Sequence, residues 1–84
     1  MNIIWTRRAI GHLATLRSQL EKDAAATVAR RILEATEVLK EHPEIGRPGK
    51  ALGTRELMIP DTHYFIPYRV RRGRPELIAV LREG

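Results

Sequence analysis

Pro43 limits what this 84-residue chain can fold into more than any other residue. A proline disfavours helical geometry in the residue before it and has no N–H to donate, so a helix arriving from the N-terminal side ends near His42. Beyond it, residues 46–71 read GRPGKALGTRELMIPDTHYFIPYRVR. Gly46, Pro48, Gly49 and Gly53 keep the chain as a loop to Gly53. Two β-type runs follow, Thr54 to Ile59 and Tyr64 to Arg71, separated by the breakers Pro60-Asp61-Thr62, which predicts a hairpin. Arg72-Gly73-Arg74-Pro75 supplies a second tight turn into a last strand, Glu76 to Arg82, completing an antiparallel meander. In the middle strand, alternation puts Tyr64, Ile66, Tyr68 and Val70 on one face and Phe65, Pro67, Arg69 and Arg71 on the other. Pro67 is the anomaly, because a proline cannot donate to a sheet ladder and implies an edge, a bulge or an unneeded N–H.

The half before Pro43 has a different period. Asn2 to Trp5 is short and apolar and suits a strand, with Thr6 placed to cap a helix. From Arg7 to about Glu21, Ala9, Ile10, Leu13, Leu16 and Leu20 form one apolar stripe opposite Arg8, His12 and Gln19. Gly11 weakens that helix slightly; it either admits another backbone or is simply exposed. Lys22-Asp23 marks a break with Asp23 as the candidate cap, and a second helix runs to about Glu41, with Ala25, Val28, Ala29, Ile32, Ala35, Thr36 and Leu39 on its apolar side. So short a break predicts an antiparallel helix hairpin, its two stripes forming the core; Trp5 either packs beneath the sheet, the expected place, or anchors a partner.

Charge divides the chain at the same place. The net +5 is shared unequally: residues 1–45 carry seven Lys/Arg against six Asp/Glu, and residues 46–84 carry eight against four. A basic surface on a strand frame favours phosphate or an acidic protein segment, although arginine on exposed strands also serves solubility and edge protection. A chain of this length hides only about 60–65% of its unfolded surface, so stability is expected to be marginal. With no cysteine there is no disulfide or thiolate metal site. No signal peptide or membrane-length apolar stretch is evident, which gives the expectation of a cytoplasmic protein without membrane contact.

Several chemistries can be weighed on the residues alone. Gly49-Lys50 is not a phosphate loop, since Glu44 stands where the leading glycine belongs and Ala51 where Ser or Thr would bind magnesium. His12, His42 and His63 have no paired spacing for a metal, and no cofactor is expected. A metal-free RNase needs a base, an acid and cations for the transition state. Arginines are plentiful, whereas proton shuttles are limited to His63 beside Tyr64, and to Tyr68.

HPEIGRPG, GTRELMIP, YFIPYRV and ELIAVL, in this order over nearly the whole chain, resemble the RelE/ParE superfamily of type II toxin–antitoxin toxins, most closely its ParE branch. The resemblance implies one α+β domain over residues 1–84, in the order β-α-α-β-β-β, with a helical hairpin on a small antiparallel-rich sheet and a basic opposite face. It also implies the toxin of a plasmid-stabilisation or addiction module, inhibiting DNA gyrase and neutralised by an acidic, partly disordered antitoxin. The alternatives it leaves are a RelE-like ribosome-dependent mRNA endonuclease and an inactive relative that binds only its antitoxin. As a nuclease the chain would use Lys50, Arg55, Arg69 and Arg82 with His63 or Tyr68, but no aromatic acid–base residue follows Arg82. As a binder it would present Arg55, Arg69, Arg71, Arg82 and Tyr68 to target or antitoxin.

Overall fold

A computed structural model describes residues 2–84. The chain runs β1 (Ile4–Trp5), α1 (Arg7–Gln19), α2 (Lys22–Glu37) with a 3-10 turn over Val38–Lys40, β2 (Arg47–Pro48), β3 (Arg55–Met58), β4 (Tyr64–Arg71), β5 (Arg74–Leu77) and β6 (Leu81–Arg82). All six strands form one sheet in the order β1-β5-β4-β3-β2, with β6 pairing β4 beyond the end of β5. Only β1 is parallel to its neighbour, since both helices lie between it and β5 in the chain. The expected α+β architecture holds, with the helix hairpin covering one face.

The helices form where periodicity places them, but their ends are set by other side chains. The Thr6 hydroxyl accepts from Ala9 N–H at 3.2 Å and caps α1, and it also reaches the carbonyls of Leu77 (2.7 Å) and Ile78 (3.1 Å). One side chain thus ties the start of α1 to the end of β5. At α2 the cap is the Glu21 carboxylate, which accepts from Asp23 and Ala24 N–H, so Asp23 lies in the first turn instead of capping it. On α1, Ile10 stands 55% exposed while His12 turns inward, its Nδ1 accepting from Val80 N–H at 3.1 Å. That departs from the expected stripe: a hydrogen bond to a strand break holds the polar ring inside, and the isoleucine beside it points out.

Ala9, Leu16, Ile32, Leu39, Leu57, Ile59, Ile66, Tyr68, Leu77 and Val80 make the core, with Trp5 packed at its margin. Thr36 is the buried polar residue, and its hydroxyl donates to the Leu33 carbonyl within its own helix. No alanine replacement at Gly11 would meet a neighbour, because nothing lies within 4 Å of the added carbon. Gly11→Ala should therefore raise stability by about 0.5–1 kcal/mol, read from urea unfolding, and a loss would show an unseen backbone requirement there.

The meander differs from expectation in three places. Its last strand is interrupted over residues 78–80, where Ala79 and Val80 are buried and the Val80 N–H turns to His12. Pro75 belongs to β5; the turn is Arg72-Gly73, both left-handed at φ 52° and 75°, as a two-residue hairpin requires. The loop before β3 contains the short edge strand β2, too brief to leave a pattern, in which Pro48 lies opposite Arg55. Pro67 sits in the central strand, yet its position is at the end of the β4–β5 ladder. Its carbonyl accepts from Ile78 N–H, and the Ile78 carbonyl, which an N–H at residue 67 would have sought, lies against the Thr6 hydroxyl. The missing donor leaves no acceptor stranded.

Candidate functional site

Three of the four words that carry the family resemblance, HPEIGRPG, GTRELMIP and YFIPYRV, converge on one structural unit. Arg55 and Tyr68 are cross-strand partners of β3 and β4, on the face turned towards the loop that follows the helices. Arg55 Nη1 donates to the carbonyls of Glu44 (3.2 Å) and Gly46 (2.9 Å). The Tyr68 hydroxyl donates to the Pro43 carbonyl at 2.7 Å and accepts from Gly46 N–H at 2.9 Å. Gly46 is buried against the phenol ring, so no larger residue fits. Four polar contacts from two side chains hold residues 43–46 and position β2 on the sheet edge.

Two of the residues proposed for partner contact are therefore committed elsewhere. Tyr68 is 0% exposed, and its hydroxyl both donates to and accepts from the loop, so its polar group is engaged inside the fold and not presented at the surface. Burial pushes its phenol above the ordinary value of 10.0, against the pull of the Gly46 N–H and of Arg55. Arg55 is half-buried and spends its guanidinium on main-chain carbonyls. The alternation that separates Arg55 from Glu56 puts the carboxylate, not the arginine, on the open sheet face.

The open face is basic but internally paired. Arg47 Nε lies 2.9 Å from Glu56 Oε1, and its Nη2 lies 3.7 Å from Glu83. Arg69 Nε donates to Glu76 Oε1 at 2.9 Å, with Arg71 3.7 Å from the same oxygen. Such exposed pairs contribute little to stability, so the arginines remain available to a stronger anion. Lys50 lines a separate groove of about 260 Å³ on this face, with Arg8 and Glu56 around the apolar Phe65, Pro67, Ile78 and Leu81. Arg82 instead lines a recess beside α1, with His12, Gln19 and Tyr64. His63 is exposed in the β3–β4 turn, where its carbonyl accepts from Glu83 N–H. Of the candidate nuclease set, Lys50 and Arg82 thus open into two different depressions, while Arg55 and Tyr68 are held by the loop over residues 43–46.

Sequence reasoning missed two surfaces. The larger is a groove of about 630 Å³ between the free edge of β1 and α2, lined by Ile3, Ile4, Trp5, Leu33, Thr36 and Lys40 among others. Leu33 is 52% exposed there, off the stripe that packs on the sheet. The second is the β4–β5 hairpin tip, where Arg72 and Arg74 join Arg71; three arginines in four positions were the available signal. Among the described residues no helix is long and apolar enough to cross a membrane, and no group of His, Asp or Glu is arranged to hold a metal ion.

A helix hairpin laid on one face of a small basic sheet, with a clamped loop feeding the central strands, places the chain among the small two-layer α+β folds. A solved structure described as the chromosomal ParDE TA system from P. aeruginosa has this fold: TM-score 0.87, 22% identity, covering 100% of this chain and 97% of that one. Residues 3–83 match the family described as the ParE toxin of the type II toxin–antitoxin system, parDE. A relative named "Putative toxin Y4kP", from Sinorhizobium fredii (strain NBRC 101917 / NGR234), is 47% identical over 73 residues, 83% of this chain and 76% of that protein. The chain belongs to the ParE toxin family of type II toxin–antitoxin systems.

Proposed function

We propose that this toxin inhibits DNA gyrase by binding it, in a plasmid-stabilisation or addiction module, and performs no bond chemistry of its own. The observation that carries this is the fate of the candidate nuclease residues. Tyr68 is sealed in the core, Arg55 is spent on loop carbonyls, and Lys50 and Arg82 face separate depressions. General acid–base groups contribute about 100- to 10,000-fold when placed within reach of the reacting atoms. Cations spread over separate surfaces suit recognition of a large anionic or acidic partner instead. Arg69, Arg71 and Arg82 are the residues we assign to such contacts, with Arg55 acting through the loop it holds.

The same proposal includes an acidic antitoxin, partly disordered when free. Its apolar anchors fit the groove between β1 and α2, where Ile4 and Leu33 are exposed, and its carboxylates fit the arginines of the open face. Co-expression with the small gene beside this one should raise yield and melting temperature. Saturation at 100 times Kd is equivalent to about 2.7 kcal/mol. Leu33→Glu should weaken that complex by 10-fold or more while leaving the free toxin folded, because it buries a charge only in the complex. Charge reversal at Arg69 should weaken it more than alanine does, since repulsion is added to lost attraction. Failure of any neighbouring gene product to bind well-folded toxin would remove the antitoxin from the account.

A further inference from the structure

The β4–β5 hairpin tip gathers positive charge that the fold does not neutralise. Arg71 and Arg74 are direct cross-strand partners, so two guanidinium groups are rooted side by side on one face. Arg69, two residues earlier, shares that face opposite Glu76, and Arg72 occupies the first turn position. Like charges set directly opposite destabilise a strand pair, and β-turns of this kind accept Asn, Asp or Gly more readily than arginine. Against these four arginines stands one carboxylate, Glu76, already shared by Arg69 and Arg71. Arg72 and Arg74 have no carboxylate partner among the described residues. Ile4, Arg71, Arg72, Arg74 and Glu76 line a shallow depression of about 280 Å³.

We propose that this tip is a phosphodiester-binding site that docks the protein on the backbone of duplex DNA, independent of base sequence. Three features favour phosphate over an acidic protein segment. Every cation at the tip is arginine, whose planar fork matches phosphate oxygens in pairs. Apolar lining is limited to Ile4, so the ligand must be held by charge, whereas the apolar grooves that suit a peptide lie beside α2 and over Phe65. A two-stranded ribbon has the width to approach a DNA groove, and arginines at alternate positions along β4 stand about 7 Å apart, in a row that can meet successive phosphates. The inference stands apart from the choice of target, because the DNA alone is the ligand.

The test is binding of the purified protein to a fluorescent duplex of arbitrary sequence between 50 and 200 mM salt. Each neutralised phosphate contributes about −0.9 to the slope of log K against log[salt], so three contacts give about −2.7 and weaken binding about 40-fold over that range. Arg72→Gly/Arg74→Thr respects the left-handed turn position and strand preference at the two sites. It should weaken binding at least 10-fold and make the slope less steep by about 1.8, with unchanged circular dichroism. Arg74→Lys should retain most of the slope, since a point charge still displaces a counterion. Arg17→Ala/Lys22→Ala, near the helix connection, should change neither quantity. The proposal is overturned by absence of duplex binding at 50 mM salt, by binding whose slope is the same in the tip variant, or by tip-dependent binding of poly-glutamate without DNA binding. The last result would give the arginines to a protein partner.

Discussion

Gly46→Ala should abolish stable folding, although the change adds one carbon. An ideal Cβ at this position would lie 2.6 Å from Tyr68 Cε1, 2.8 Å from its hydroxyl and 2.9 Å from the Glu56 carbonyl. None of the three can yield cheaply: Glu56 is held in β3 between two strands, and Tyr68 is fully enclosed. Overpacking alone costs about 1–3 kcal/mol. Displacing the phenol also breaks its bonds to Pro43 and Gly46, and each buried group left without a partner adds about 1–3 kcal/mol. Together these approach the whole stability of a domain this size, at about 0.05–0.15 kcal/mol per residue. Urea unfolding should show a lost or severely reduced transition. A midpoint corresponding to less than about 1 kcal/mol of destabilisation would mean that the loop is not clamped as described.

Tyr68→Phe is the complementary experiment, since it keeps the ring and removes the hydroxyl. The Pro43 carbonyl and the Gly46 N–H then lose their partner, at about 2–6 kcal/mol in total. The substitution also changes the response to alkali. Because burial raises the folded phenol above 10.0, the unfolded chain releases this proton first, and the folded state binds more protons over that interval. Stability from this group is therefore complete below pH 10 and declines as pH rises towards the folded value, by up to about 1.4 kcal/mol per pH unit. The Phe variant should lack that decline while being less stable at neutral pH. A variant as stable as the parent at pH 7 would show that the phenol contributes no net hydrogen bonding to the loop.

These two residues show what could be read from the chain and what could not. Period-two alternation grouped Tyr64, Ile66, Tyr68 and Val70 correctly, and the burial of Ile66 and Tyr68 together follows from it. The hydroxyl of Tyr68 suggested function because its partner, a loop carbonyl 25 residues away, cannot be seen in a local pattern. Alternation likewise separates Arg55 from Glu56 without saying which faces the helices. The strand Tyr64–Arg71 and the helix hairpin were legible because apolar spacing is dense there. The strand β2 was not, because two residues containing a proline carry no period. Ile10 and His12 exchanged places for a tertiary reason, the free Val80 N–H at the break between β5 and β6. Of the site, the basic character of the second half was visible, whereas its division into paired, buried and unpaired arginines depends on the register of the sheet.

The grouping of Pro43, Gly46, Arg55 and Tyr68 also explains how the family words can mark a fold without marking a reaction. They fix the loop between the helices and the sheet through contacts within the fold. A chain built in this way can be a binder with no catalytic residue.

That claim is tested most directly by giving the purified toxin both candidate targets in parallel. The expected result is loss of supercoiling, or accumulation of cleavage complexes, with DNA gyrase, and no decoding-site cleavage of mRNA by primer extension on translating ribosomes. Rapid codon-dependent mRNA cleavage with unaffected gyrase would contradict the account.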